Sequence, residues 1–351
     1  MKYRYLGRSG LLVSRVCLGT MTFGNPEWGC EQDVASEMVQ RFIEAGGNFF
    51  DTADMYSGGR SEEMLGKAIE PFDRDDLVVA TKCWFRMGPT PNAKGLSRKH
   101  IFEAVEASLR RMNTDYIDLF QVHGPDWFTP MEETVRALGD LVRSGKVRYV
   151  GCSNYYAWQL VKSNAMAASM NLDGFISGQY MYNLVRRDIE REIMPACADQ
   201  GMGILCWSPL ASGFLSGRYH RDTEPPQGSR ISYRKNIDIP RYYSDEAFDL
   251  IDELRAVAEE TSKSPAQVAL AWLLHNRIVT SVLIGPRYTK HMEENMIVGD
   301  WNLDDDHNQR LTNALPLPHG YPSDWVELGY GNVAGNEEFP PKHFRHYLDQ
   351  S

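Results

Sequence analysis

One pattern limits what this chain can fold into: a short apolar run followed by an amphipathic stretch, eight times over. The runs are VCLGT (16–20), FFDTA (49–53), LVVATK (77–82), IDLFQVH (117–123), VRYVGCS (147–153), FISGQYM (175–181), GILCW (203–207) and VTSVLIG (279–285). They are continuously apolar rather than alternating, as strands buried on both faces are. Most of the stretches between them carry helical period and helical punctuation. In DVASEMVQRFIEAG, Val34, Met38, Phe42 and Ile43 share a face, and SEEMLGKAI opens on Ser61 with Glu62 and Glu63 in its first turn. Ser97 is placed to cap SRKHIFEAVEASLRRM, and MEETVRALGDLVRSG stops at Gly145. Further helices are expected over 155–169, 188–201, 245–261, PAQVALAWLLHN and about 289–297. Eight βα units predict a (β/α)8 TIM barrel. An open doubly wound sheet would want G-x-G-x-x-G after a strand, and no run is followed by one.

Residues 3–13 read as an N-terminal β-hairpin turning at Arg8-Ser9-Gly10. Two segments break the beat. After the seventh strand, 208–244 is predicted to be a long structureless loop, and such loops are usually functional or disordered. It sets Arg218, Arg221, Arg230, Arg234, Lys235 and Arg241 against Asp222, Glu224 and Asp238, which suggests a nearby anion as much as a solvated excursion. The C-terminal tail from about 314 is rich in Pro, Gly and aromatics; Tyr321, Trp325 and Phe339 make it too apolar for a disordered end. It is expected to pack on the barrel. Residues 1–351 read as one domain with its core over about 16–300.

Composition narrows the class of function. A net charge of −10 argues against a nucleic-acid partner. No stretch nears the roughly 20 apolar residues a membrane span requires. MKYRYLGRSGLLVSR has no apolar signal core, so the cytoplasm is the expected location. Six cysteines without a CxxC pair predict neither a metal site nor a disulfide framework.

The strand ends carry the chemistry. In a parallel barrel all C-terminal strand ends lie at one face, where active sites are built. The second run ends in Asp51, with Tyr56 just beyond; the third ends in Lys82 and the fourth in His123. A lone lysine there is usually surface and a lone histidine a satisfied core residue, but four such groups on successive strands cohere. A tyrosine hydroxyl titrates near 10, and a neighbouring ammonium lowers that value while an aspartate keeps the ammonium charged. A neutral histidine holds a carbonyl oxygen or assists the proton. The set suits protonating an oxygen while a cofactor delivers hydride.

FDTADMYSGGRSEEMLGKAI resembles the signature of the aldo-keto reductases, and the resemblance runs from LGRSGLLVSRVCLGTMTFG to HMEEN at 291–295. It implies a (β/α)8 barrel without a Rossmann domain and a catalytic tetrad at Asp51, Tyr56, Lys82 and His123, with Tyr56 as general acid. It places nicotinamide contacts at Ser153, Asn154 and Gln179, the stacking aromatic at Trp207, and further neighbours at Asp51, Thr20 and Met21. WSPLASGFLSGRY is similar to the pyrophosphate loop, through Ser208, Pro209, Leu210, Ser212, Gly213 and Arg218. GPRYTKHMEEN is similar to the adenosine segment, through Gly285, Arg287, His291, Glu294 and Asn295. Many relatives carry basic, Ser or Gln residues where Pro286 and His291 stand here. Arg287 is suited to a 2′-phosphate, which favours NADP(H) over NAD(H).

The small-molecule substrate expected is an aldehyde, ketone or alcohol in a pocket lined by aromatics such as Trp28, Trp84 and Trp127, with Tyr321 to Trp325 helping to close it. Its identity does not follow from the fold. Two rivals compete: a cofactor-binding regulatory subunit of the channel β-subunit type, and a phosphate-handling barrel aldolase or isomerase. Channel subunits usually carry extra N-terminal sequence, whereas this chain opens on its hairpin. Tyr56→Phe separates catalysis from binding alone.

Overall fold

All eight runs become strands. In this computed structural model, which describes residues 1–318, 320–322, 324–326 and 329, β1 (Tyr3–Tyr5) and β2 (Leu12–Ser14) form the antiparallel hairpin. The strands β3 (Val16–Gly19), β4 (Phe49–Asp51), β5 (Val78–Cys83), β6 (Ile117–Val122), β7 (Val147–Ser153), β8 (Phe175–Met181), β9 (Gly203–Trp207) and β10 (Val279–Ile284) close into a parallel barrel in the order β10-β3-β4-β5-β6-β7-β8-β9. The surrounding helices begin with α1 (Gln32–Glu44), α2 (Arg60–Ile69), α3 (Arg98–Met112), α4 (Met131–Arg143), α5 (Ala157–Ser169) and α6 (Ile193–Asp199). Then come α7 (Arg230–Tyr233), α8 (Lys235–Tyr242), α9 (Asp245–Thr261), α10 (Pro265–His275), α11 (Thr289–Met296) and α12 (Asp305–Ala314). Among the described residues no helix is long and apolar enough to cross a membrane.

Local chemistry explains the boundaries. Ser97, Ser244 and Ser264 cap α3, α9 and α10 by accepting a backbone N–H two or three residues into the helix. Gln267 completes a capping box with Ser264. Ser61 does not start α2: Gly59 precedes Arg60 as the N-cap, and the Ser61 hydroxyl instead donates to the Thr20 carbonyl. The helix expected over 188–201 is interrupted; a 3-10 turn at Asp188–Glu190 gives way to α6 only at Ile193. The α5 helix starts at Ala157 rather than 155.

The connection over 208–244 is not structureless. A 3-10 segment (Ala211–Ser216), α7 and α8 occupy it, held down by buried Phe214, Leu215, Tyr219, Ile231 and Tyr242. Those anchors follow no single period, so the pattern does not show in the sequence. The helix α12 is likewise unheralded, with Leu311 as its buried residue. In the tail, Tyr321 and Trp325 are 85% and 68% exposed, so neither ring packs on the barrel or closes the site; Phe339 lies outside the described residues.

The hairpin closes the barrel's N-terminal end. Leu6 and Val13 join Cys17, Phe49, Val78, Ala80, Leu119, Leu205 and Leu283 in one buried cluster inside the strands. Arg4 donates to the carbonyls of Leu274, Asn276 and Val279. Gly7, at φ +60°, leaves no room for a Cβ, which would stand 2.5 Å from the Gly201 carbonyl oxygen. Truncating a filled position such as Leu119 to alanine removes packing worth about 2–5 kcal/mol.

Candidate active site

Strand register brings the polar residues together. Asp51 pairs with Ala80 across β4 and β5, and Lys82, two residues on, points to the same face and pairs with Gln121 of β6. Gln121 in turn pairs with Gly151 of β7, where a Cβ would stand 3.3 Å from the Gln121 Cγ. Gly151 therefore leaves the space that the glutamine side chain fills. Both Asp51 and Lys82 are buried.

A buried carboxylate and ammonium persist only when paired and hydrogen-bonded. Here each is. Lys82 Nζ donates to Asp51 Oδ2 at 2.5 Å, to the Thr52 carbonyl at 2.7 Å and to the Tyr56 hydroxyl at 3.4 Å. The other Asp51 oxygen, Oδ1, accepts from Gln121 Nε2 at 3.0 Å and from Gln179 Nε2 at 2.8 Å. Burial disfavours the charge on Lys82, but Asp51 and Tyr56 outweigh it and raise its pKa. It stays an ammonium.

Tyr56 begins a 3-10 turn whose next residues, Ser57, Gly58 and Gly59, all have positive φ. Burial raises the pKa of its phenol; Lys82 pulls the other way and loses. The expected lowering is thus corrected: desolvation outweighs the Lys82 charge, and the proton remains on Tyr56. His123 stacks edge-on to Tyr56 at 5.8 Å and to Phe85 at 5.0 Å. Burial, and then the Lys82 charge, hold its pKa well below 6.5, so its imidazole is neutral. Its Nδ1 is buried and has no hydrogen-bond partner among the described residues.

Several residues expected to contact a cofactor neighbour this cluster. Asn154, in left-handed conformation at φ +58°, donates to the His123 carbonyl and the Ser153 hydroxyl and accepts from Trp207 Nε1 at 3.2 Å. Ser153 donates to the Gln179 carbonyl. Gln179 is turned toward Asp51, and the Thr20 hydroxyl is taken by Ser61 at 2.8 Å and the Asp51 carbonyl at 3.3 Å; the half-buried Met21 follows it. Ser208, Ala211 and Ser212 also sit at positive φ, at a cost of about 1 kcal/mol or more each. Such strain gathers in segments shaped to meet a ligand. In this loop Pro209 is buried, Leu210 and Gly213 are half-buried, and Asn183 donates to the Ser208 carbonyl at 3.0 Å.

Arg218 lies near enough to His291 to help lower its pKa, after burial, so the 208–218 loop faces the segment after β10. That segment exposes Gly285 and Glu294 and leaves Arg287, His291 and Asn295 half-buried. Arg287 stacks over Tyr288 at 5.3 Å. Neither Arg218 nor Arg287 has an ion-pair partner among the described residues. Arg218 Nε donates to the Ser216 hydroxyl at 3.0 Å. Two guanidiniums without carboxylate partners among the described residues and a strained loop fit a phosphate-bearing ligand.

The predicted aromatics separate. Half-buried Trp84 packs on Phe85, which touches His123. Trp28 lies under Arg230, 5.0 Å from ring centre to guanidinium carbon. Trp127 is 64% exposed and its ring neighbours are Tyr156 and Trp158, not the tetrad. Sequence reasoning missed Gln121, Tyr242 and Asn183; a glutamine inside a mostly apolar strand was the available signal for the first. Tyr242 reaches the Ser208 hydroxyl at 3.2 Å. Among the described residues no cluster could hold a metal ion, and all six cysteines are free and buried.

Fold and site together define a (β/α)8 barrel with a buried acid–base cluster at its C-terminal mouth. The sequence profile of the aldo/keto reductase family matches residues 15–316. A protein described as a probable voltage-gated potassium channel subunit beta, from Arabidopsis thaliana, is 39% identical over 84% of this chain and 90% of its own length. An uncharacterized oxidoreductase of Bacillus subtilis is 36% identical over 91% of this chain and 98% of its own length. Versiconal hemiacetal acetate reductase of Aspergillus parasiticus is 39% identical over 78% of this chain and 85% of its own length. The chain belongs to the aldo/keto reductase family, and with it to the oxidoreductases that act on carbonyl compounds with a nicotinamide cofactor.

Proposed function

We propose that this chain reversibly reduces an aldehyde or ketone with NADP(H), in the cytoplasm, through Tyr56, Lys82, Asp51 and His123 acting as one unit within a single domain. The carrying observation is that Lys82, buried with Asp51, bridges it to the half-buried Tyr56. Tyr56 holds its proton at neutral pH and gives it to the carbonyl oxygen as that oxygen gains charge. The phenolate left behind is stabilised by the Lys82 ammonium, which Asp51, itself fixed by Gln121 and Gln179, keeps charged and in place. The neutral imidazole of His123 orients the same oxygen. The 3.4 Å Lys82–Tyr56 contact is long, as catalytic hydrogen bonds often are before substrate binds.

When bound, the nicotinamide supplies the hydride. Ser153, Asn154 and Gln179 would hold its carboxamide, with Trp207 against the ring. The 208–213 loop and Arg218 would take the pyrophosphate. Gly285, Arg287, His291, Glu294 and Asn295 would take the adenosine end, the Arg287 fork favouring a 2′-phosphate. Tyr56→Phe should bind NADPH normally, by fluorescence titration, yet lose about 10²–10⁴-fold in kcat on a good aldehyde. Near-normal turnover would overturn the assignment. KM values for NADPH and NADH test the cofactor, and a clear NADH preference removes the role given to Arg287.

The relatives described as channel β subunits support a second reading, in which the barrel acts by cofactor-dependent binding to a partner. Steady-state turnover with an aldehyde panel separates the two. Measurable multiple turnovers favour the enzyme.

A further inference from the structure

His123 lacks the hydrogen bond that ordinarily fixes an imidazole. In a neutral ring, the partner of one nitrogen sets which nitrogen carries the hydrogen and which way the ring faces. The Nδ1 of His123 is buried without a partner among the described residues. A buried donor is rarely left orphaned and an acceptor somewhat less rarely. Nδ1 is therefore the bare nitrogen, and Nε2–H is the donor left for a substrate oxygen. The torsion that turns the ring is broad and two-fold, and no bond at Nδ1 selects one of its two faces.

Aromatic rings take up that task. The Phe85 ring stands 5.0 Å from the imidazole with 87° between planes, and the Tyr56 ring 5.8 Å away with 80°. Tyr56 has acid chemistry of its own; Phe85 has none. Phe85 is set in place by its surroundings. The Trp84 ring packs on it at 4.7 Å and lies against Gly124, where a Cβ would stand 3.2 or 3.3 Å from three indole atoms. The Trp84 carbonyl accepts from the Gly95 N–H at 2.8 Å, and Asp126 accepts from the Leu96 N–H and the Thr129 hydroxyl, both at 2.7 Å. The segment that carries Phe85 is thereby pinned to the loop that follows His123. Phe85 is nonetheless 38% exposed, so it does not sit there as core filling.

We infer that Phe85 is the positioning residue of His123, its ring holding the imidazole with Nε2 toward the substrate oxygen in place of a hydrogen bond at Nδ1. The inference rests on the reductase reading above and deepens it. Edge-to-face pairing is directional, so an aromatic neighbour resists both tilt and inversion of the imidazole. Leucine at the same place would keep an apolar contact and lose that direction.

The test follows the reduction of 4-nitrobenzaldehyde with NADPH. Phe85→Leu should lose about 10–100-fold in kcat, while the KM for NADPH stays within about twofold and reports a folded variant. Phe85→Tyr, which keeps the ring, should stay within about threefold of the parent. In a His123→Ala background, Phe85→Leu should cost less than about twofold, because its effect passes through the imidazole. A further loss of about tenfold in that background would put Phe85 on the substrate and overturn the inference. An unchanged kcat in Phe85→Leu overturns it as well. The ring itself is read by NMR of protein labelled with nitrogen-15 histidine, with His123 assigned by its loss in His123→Ala. The parent and Phe85→Tyr should each show one neutral tautomer, with hydrogen on Nε2. Phe85→Leu should show a mixture, since water then reaches Nδ1. A parent-like tautomer in Phe85→Leu overturns the inference whatever the kinetics show. If the parent reduces no aldehyde on a panel, the reductase reading falls, and the NMR comparison alone decides whether Phe85 fixes His123.

Discussion

Two aspartates three residues apart meet opposite fates in this barrel. Asp51 and Asp54 are equally buried, at 1% exposure each. Asp51 ends a strand inside the barrel and receives Lys82, Gln121 and Gln179. Asp54 sits past the strand end, and neither of its oxygens has a hydrogen-bond partner among the described residues. Burial, with Glu62 adding repulsion, pushes the Asp54 pKa from 3.8 to about 7, while Arg111, Met55 and Lys82 pull back. The same residue type at the same depth is thus held by three donors in one place and is a titrating group in the other. Partners, not burial, make the difference.

The contrast can be broken from either side. The largest effect belongs to Lys82→Met, which strands the Asp51 charge. It should cost about 3–5 kcal/mol in urea unfolding as well as about 10²–10⁴-fold in kcat. A variant as stable as the parent would show that Asp51 is not held as a charge. Gln121→Ala removes one charge-assisted donor, and about 2 kcal/mol of stability should go with it. If unfolding midpoints match, Gln179 alone suffices to hold Asp51.

Asp54→Asn should have the smallest effect on catalysis, within about threefold in kcat/KM at neutral pH. Its signature is instead in stability against pH. The folded pKa lies above the unfolded one, so the native state holds this proton longer than the unfolded chain does. The parent's stability therefore falls as pH rises from about 4 toward 7, by up to about 4 kcal/mol, and is full only below the unfolded value. Unfolding free energies for the two proteins, measured between pH 5 and 8, should diverge in favour of the asparagine variant. Parallel curves would show that Asp54 does not titrate in that window.

The sequence showed Asp51, Tyr56, Lys82 and His123 because strand ends in a parallel barrel share one face and polar residues there interrupt apolar runs. It showed the eight strands for the same reason, since continuous burial writes itself as continuous apolarity. Gln121 stayed hidden because it lies inside its strand rather than at the end and its partner Asp51 is 70 residues away in sequence. The segment over 208–244 misled because Phe214, Tyr219, Ile231 and Tyr242 anchor it at irregular intervals, and Pro240 inside α8 argues against a helix. Asp54 carries no local signal that separates it from Asp51. Its lack of partners depends on where Arg111 and Glu62 fall in space, which no local pattern states. The direction of the Tyr56 pKa was misjudged because desolvation, a property of the whole fold, competes with the one visible cation.

The hairpin that stoppers the barrel's N-terminal end makes the molecule a vessel with a single neck. With Leu6 and Val13 seated among the strand side chains, traffic through the barrel's axis has no exit below. Substrate, product and the proton that resets Tyr56 must then all pass the same rim, the one formed by the C-terminal strand ends. Entry and departure compete for one opening, so a change at that rim should alter how fast product leaves as well as what is admitted.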